Sequence, residues 1–215
     1  LKVTNKKAIL GGLVLLLLLA AQPGNAQSTI FNIPTTDAVA LGKAYAEFDF
    51  LAQAPGTSGS PRAYTYMPRI VVGLGGGVEA GANLNFFKVG STQSYFQPNI
   101  KWRFAANDDE GVAGSVGTIL FTPMNNRDSN DTFGLIYGNV SKKVQGDYGP
   151  RFTVGPYGIY SAVDSWSGAK GGVIAGYEQP LGSKVSFVTD WISGENAFGY
   201  LTPGFSFILP RNGLL

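Results

Sequence analysis

The chain has 215 residues, of which 14% are charged and 13% aromatic, with 30 glycines and a formal net charge of +2. So much apolar and aromatic matter with so little charge excludes a disordered tail, and the small net charge excludes a basic nucleic-acid binder. The absence of cysteine and histidine removes disulfides, thiolate zinc sites and thiol catalysis, and with them the commonest general base and metal ligand.

Lys2, Lys6 and Lys7 introduce an apolar run from Ala8 to Ala21, which Pro23 and Gly24 break before Asn25-Ala26. A positive start, a short apolar stretch and a small-residue exit are the parts of a secretory signal peptide, so residues 1–26 are expected to be cleaved after Ala26. The run falls short of the roughly 20 apolar residues that a spanning helix needs. Removal of the three lysines leaves a nearly neutral chain: a lead-in segment over 27–42, then a β domain over 43–215.

From Lys43 onward the chain alternates with a period of two. Ala44, Ala46, Phe48 and Phe50 oppose Tyr45, Glu47 and Asp49. Over 62–74, Tyr64, Tyr66, Pro68, Ile70, Val72 and Leu74 oppose Thr65, Met67, Arg69 and Gly73. After Gly75-Gly76-Gly77, Val78, Ala80, Ala82, Leu84 and Phe86 oppose Glu79, Gly81, Asn83 and Asn85. Beyond a loop expected over Gly90 to Gln93, the strand 94–105 sets Phe96, Pro98, Ile100, Trp102 and Phe104 against Gln97, Asn99, Lys101 and Arg103. Further strands are expected over 112–122, 132–143, 150–160, 170–179, 183–193 and 198–209. A length of about ten residues suits a tilted strand crossing a bilayer, since soluble strands cluster near 5–6. The Asn212-Gly213 hairpin signal near the end implies a further strand, so ten to twelve are expected in all.

The pattern fits an antiparallel transmembrane β-barrel of about ten strands, with apolar positions toward lipid and small or polar ones toward a lumen. Gly73, Gly81, Ala113, Ser115, Gly117, Gly134 and Gly138 are expected to face inward. Tyr64, Tyr66, Phe86, Phe96, Trp102, Phe104, Tyr160 and Trp191 lie near strand ends, where interfacial aromatic girdles belong. The competing architectures are a soluble β-sandwich, whose exposed face is normally richer in Lys, Glu and Thr, and a lipid-carrying barrel.

The signal sequence, the glycine-rich turn in Val72-Gly73-Leu74-Gly75-Gly76-Gly77-Val78-Glu79-Ala80-Gly81 and the long two-faced strands together resemble a Gram-negative outer-membrane β-barrel of the small porin-like kind, over roughly 43–209. The stretch Asn32-Ile33-Pro34-Thr35-Thr36-Asp37, leading into Tyr45-Ala46-Glu47-Phe48-Asp49, is similar to the start of functionally uncharacterised members of that class. Members usually end in a strand with a terminal aromatic, and this chain departs from that at Leu215. The resemblance implies a place in the outer membrane, contact with its lipid and lipopolysaccharide, insertion by the barrel-assembly machinery, and a monomer.

The inward charges alternate in sign from strand to strand: Glu47 and Asp49, then Arg69, then Glu79, then Lys101 and Arg103. Three readings stay open: a salt-bridge lattice filling the lumen, a charged constriction that filters small solutes, and a lattice that serves a ligand. The register decides between them. Catalysis is not expected, because neither a Ser–His nor a His–Asp arrangement is possible. Glu47 with Asp49 could form a paired-acid site by geometry, but a partnership with Arg69 is the simpler role. The run Asn107-Asp108-Asp109-Glu110-Gly111 reads as a solvated turn without calcium-loop spacing. No cofactor, metal or nucleic acid is expected. The function read from the chain is a small, weakly selective porin-like channel or a structural barrel. The alternative is an adhesion or ligand-binding barrel acting through loops such as Thr122 to Asp131.

Overall fold

A computed structural model describes residues 28–52, 63–125, 131–160, 166, 168–196 and 198–207. The expected signal sequence, the tip of the Thr122–Asp131 loop at 126–130 and the Asn212-Gly213 turn lie outside these residues. The period-two pattern folds as ten strands, β1 (Ala44–Ala52), β2 (Tyr64–Gly75), β3 (Val78–Val89), β4 (Ser91–Asn107), β5 (Val112–Pro123), β6 (Phe133–Lys143), β7 (Arg151–Tyr160), β8 (Gly171–Pro180), β9 (Val185–Ile192) and β10 (Leu201–Phe207). Each strand pairs antiparallel with the next, so one sheet runs in the order β1 to β10. It curls into a half-barrel. Among the described residues no ladder joins β1 to β10.

Short turns at 76–77, 108–111, 144–150 and 181–184 share one rim, and most of the longer connections share the other. The expected loop over Gly90 to Gln93 is instead a one-residue turn at Gly90, with φ 71°. Ser91, Thr92 and Gln93 pair with Val89, Lys88 and Phe87, because a left-handed glycine reverses the chain without a longer excursion.

The two faces of the sheet differ sharply. Phe48 is 65% exposed and Trp102 50% exposed on the convex face, with Phe96, Ile100, Phe104, Phe152 and Phe205 also exposed there. On the concave face, β1–β4 present charges and amides, and Arg69, Glu79, Asn83, Gln97 and Lys101 are all buried. From β5 to β9 the concave face is different. Phe121, Leu135, Tyr137, Tyr157, Ile159, Ile174, Val188 and Ile192 form an apolar cluster there with Ile30 and Ile33. The concave positions of β5 to β9 therefore mix this apolar cluster with the buried polar residues Ser115, Asn139, Ser141, Thr153 and Asp190.

Gly134 and Gly138 correct the expected inward set, for they face outward. The alternate residues Leu135, Tyr137, Asn139 and Ser141 turn their buried side chains to the concave face, and Gly134 is buried from the other side, where a Cβ would lie 2.0 Å from the ring of Tyr160, which is itself exposed. With large apolar side chains on both faces, small size alone does not mark the lumen side of this strand.

The β2–β3 turn needs its glycines, since Gly75, Gly76 and Gly77 all have positive φ, at 89°, 60° and 77°. A Cβ at Gly76 would meet nothing within 4 Å, whereas one at Gly77 would lie 2.4 Å from the carbonyl oxygen of Arg103. Gly76→Ala is expected to cost about 1 kcal/mol of backbone strain. Gly77→Ala carries the same strain and a backbone clash as well. Urea midpoints of the refolded variants should therefore fall clearly further for Gly77→Ala.

Candidate functional site

The lead-in segment does not precede the sheet as a free tail; it crosses the concave face. Residues 28–35 form a compact hairpin, in which Thr35 N–H donates to Ser28 O and Ile30 N–H donates to Ile33 O, both at 3.0 Å. Thr29 and Pro34 bridge across it. Residues 36–43 then run to the short-turn rim, where Gly42 N–H donates to Gly73 O and Gly73 N–H to Lys43 O. A Cβ on Gly73 would lie 2.1 Å from Ala40 O, so only glycine lets the segment lie this close to β2.

This strap binds two buried carboxylates, Asp190 on β9 and Glu79 on β3. Asp190, 0% exposed on β9, accepts the backbone N–H groups of Phe31, Asn32 and Ile33 on Oδ2 at 3.1, 2.5 and 3.1 Å. Asn32 Nδ2 donates to Oδ1 at 3.3 Å and to Thr202 Oγ1 of β10 at 2.9 Å. Consecutive backbone donors converging on one anion make a nest that solvates a buried charge without a cation.

On β3, Glu79 is 2% exposed. It accepts from Ser28 Oγ at 2.6 Å and from Val39 N–H at 2.7 Å, and pairs with Lys101 Nζ at 2.9 Å. Lys101 also donates to Ser28 O at 3.1 Å and Ser28 Oγ at 3.3 Å, so each of its three protons has an acceptor. Glu79 and Lys101 stand directly opposite in the β3–β4 ladder.

A second charge cluster joins β1 to β2, where Glu47 faces Arg69 in register. Arg69 Nη2 donates to Asp49 Oδ2 at 2.6 Å and Nη1 to Thr29 Oγ1 at 2.7 Å, while Thr29 Oγ1 donates to Glu47 Oε2 at 3.0 Å. Arg69 Nε lies 3.2 Å from Glu47 Oε2, close enough for attraction but without hydrogen-bond alignment. Arg103 stands apart from both clusters. A register shift falls at Arg103/Ala105, and Arg103 has no ion pair among the described residues. The charges thus form separate clusters joined through Ser28 and Thr29, rather than one continuous lattice.

Several contacts of the strap lie beyond the residues that the charge pattern singled out. Arg151 of β7 holds Glu178 of β8 with Nε at 2.5 Å and Nη2 at 2.7 Å, and its Nη1 donates to Asp37 of the strap at 2.6 Å. Asn139 Nδ2 donates to Pro34 O at 2.6 Å, and Thr36 Oγ1 lies 2.5 Å from Ser141 Oγ. Ser115 Oγ donates to Asn139 Oδ1 and reaches Thr35 O at 3.5 Å. Beneath the hairpin, a Cβ on Gly176 would lie 2.3 Å from Ile30 Cδ1, and one on Gly204 would lie 2.7 Å from Phe31 Cζ. Every strand from β1 to β10 therefore touches the strap. Its one legible signal in the sequence is the run of small polar residues around Asn32 to Asp37, which reads as a family likeness and carries no periodicity to place it.

The aromatic candidates lie on the convex side. Tyr66, Phe96, Trp102, Phe104, Tyr160 and Trp191 are exposed, and Tyr64 and Phe86 are half-buried. Tyr64 stacks on Phe50 at 6.4 Å, and Trp102 meets Phe104 edge-on at 6.0 Å. At the base of the Thr122–Asp131 loop, Asn125 Oδ1 accepts from Ser94 N–H and its Nδ2 donates to Thr92 O, which ties the loop to β4. The 107–111 turn is exposed, capped by Asn107 Oδ1 accepting from Glu110 N–H. Among the described residues no group of three acidic side chains is placed to hold a metal ion.

Compared with protein-family models, curated proteins and solved structures, the chain matches none. What the site can do therefore rests on its geometry.

Asp190→Asn replaces an acceptor oxygen by a donor facing N–H groups, and should lower stability by about 3 kcal/mol. The same change should expose the 28–40 segment to added protease. Ile33→Ala, at a side chain 1% exposed, should cost about 2–5 kcal/mol in urea titration and loosen the same segment.

Proposed function

We propose that this protein is an outer-membrane β-barrel of the small porin-like kind whose lumen is held closed by its own residues 28–39. Permeation by small solutes then requires release of the strap. The observation that carries this reading is the buried nest at Asp190, together with the Ser28–Glu79–Lys101 cluster, which pins the hairpin across the interior. An open, weakly selective channel would keep its inward charges in water. Here Glu47, Asp49, Arg69, Glu79 and Lys101 are matched to one another and to the strap, which supports the closed barrel.

The convex face supports a lipid environment. Large exposed apolar surfaces are rare on soluble monomers, whereas a band of outward apolar side chains with aromatics toward both ends of the strands suits a bilayer. Phe50, Tyr66 and Trp191 lie toward the long-loop rim, and Trp102, Phe104, Phe152 and Phe207 toward the short-turn rim. In this setting the outward partners are acyl chains and lipopolysaccharide, and the barrel-assembly machinery performs insertion.

Two measurements test the proposal. Variants that retain only Trp102 or only Trp191, refolded into vesicles of brominated phosphatidylcholine, should lose most of their fluorescence relative to unbrominated vesicles. Unquenched emission from both would reject the membrane placement. In planar bilayers the native protein, first shown to be folded by its heat-shifted gel mobility, should give no conductance steps. The double variant Glu79→Gln/Asp190→Asn should give discrete ones. Steps from the native protein would mean an open pore, and silence from the folded double variant would mean a purely structural barrel.

A further inference from the structure

The strap starts from inside the curled sheet. Ser28, its first described residue, is 6% exposed. Its hydroxyl donates to Glu79 Oε1 at 2.6 Å, and its carbonyl oxygen accepts from Lys101 Nζ at 3.1 Å and from Thr35 N–H at 3.0 Å. A cut after Ala26, expected from the secretory pattern, leaves one residue, Gln27, ahead of Ser28. The expected cut and the first seated residue thus all but coincide. One comes from the composition of the leader, the other from packing against strands far along the chain.

There is little room for more chain at this point. The cavity against Ser28 and Thr29 holds about 120 Å³, less than the roughly 150 Å³ that takes a benzene molecule. It has space for a side chain but not for a run of backbone. The apolar leader stretch from Ala8 to Ala21 is also better solvated by a bilayer than by the charged half of the interior, so it pulls the N-terminus away from the seat.

Charge points the same way. Ser28 and Thr29 contact Glu79, Lys101, Glu47 and Arg69, and Arg69 also holds Asp49. Three carboxylates therefore face two cations, which leaves an excess negative charge where an unbalanced ion is costly. Hydrolysis of the Ala26–Gln27 peptide bond by a secretory peptidase adds water across it. A carboxylate leaves with the leader, and an α-amino group that is protonated at neutral pH remains on Gln27. The cut thus delivers a positive charge one residue from Ser28.

We propose that removal of residues 1–26 is the step that lets the strap seat. A chain beginning at Gln27 lays residues 28–39 across its concave face, and the uncut leader holds them out. The inference rests on the reading of residues 1–26 as a secretory leader, and stands whether or not the barrel conducts.

The chain has no cysteine, so Ile30→Cys, at a side chain 2% exposed, supplies a single thiol that reports the seat. The full-length variant carries a factor Xa site, Ile-Glu-Gly-Arg, inserted between Ala26 and Gln27, so that cutting the refolded protein leaves Gln27 first. Before the cut, maleimide should label the thiol within about twofold of the rate in urea, and after it at least about tenfold more slowly. Heat-shifted gel mobility should not change. Thr35→Cys, at a side chain 0% exposed, repeats the measurement in case Ile30→Cys itself unseats the strap. Equal protection before and after the cut would overturn the proposal, as would thiols at both positions that stay exposed after it. Should the uncut chain fail to fold, a heat-shifted band and a protected thiol that appear on cutting support the proposal, and their absence overturns it. N-terminal sequencing of the protein recovered from outer membranes tests the leader reading separately. Gln27 in first place supports it, and any other first residue would overturn the assignment of the cut, whatever the labelling shows.

Discussion

The interior of this protein is organised around one constraint: a carboxylate taken out of water must find donors. Asp190 and Glu79 sit on opposite sides of the curled sheet, and neither reaches solvent. The hairpin at 28–35 answers both. Its tip offers three backbone N–H groups to Asp190, and its base offers the Ser28 hydroxyl to Glu79. A sheet with no ladder between β1 and β10 among the described residues is thus held in its curl by a strap that contacts both ends, through Thr29 to Glu47 and through Asn32 to Thr202. Remove the strap and the carboxylates lose their solvation, while the strap itself has no other regular structure to hold it.

The wall is shaped to receive that strap. Gly73, Gly176 and Gly204 are positions where a Cβ would collide with residues 30–40, Gly73 with the strap's backbone and Gly176 and Gly204 with the side chains of Ile30, Ile33 and Phe31, so glycine at these places marks close approach of the strap rather than bending of the sheet. The polar and apolar halves of the concave face match the two sides of the same segment. Ser28 and Thr29 meet the charged strands β1 to β4, and Ile30 and Ile33 close the apolar cluster of β5 to β9.

Function follows from this arrangement in a particular order. On the proposed reading, charges that are mutually paired and capped by the strap leave little for a passing ion to interact with while the strap is seated. A gate, in contrast, is built from contacts that can be broken together, and the strap's contacts are concentrated at two carboxylates.

The sequence alone determined the strands and most of their facing. Alternation is a local property, readable wherever one face is consistently apolar, and it placed ten strands and turned Glu47, Arg69, Glu79 and Lys101 to the same side. It failed where both faces carry apolar side chains, as on β6, because Gly134 and Gly138 then give no parity. Register and partnership lay beyond it. Whether Lys101 meets Glu79 directly, or Arg103 meets any acid, depends on how neighbouring strands slide and bulge. Least legible was the strap, since residues 28–42 have no period, and their partners stand up to 170 positions away. Only the curl of the whole sheet brings Asp190 to the backbone of Phe31, Asn32 and Ile33, and a contact made by main-chain donors leaves no side-chain signature in the sequence.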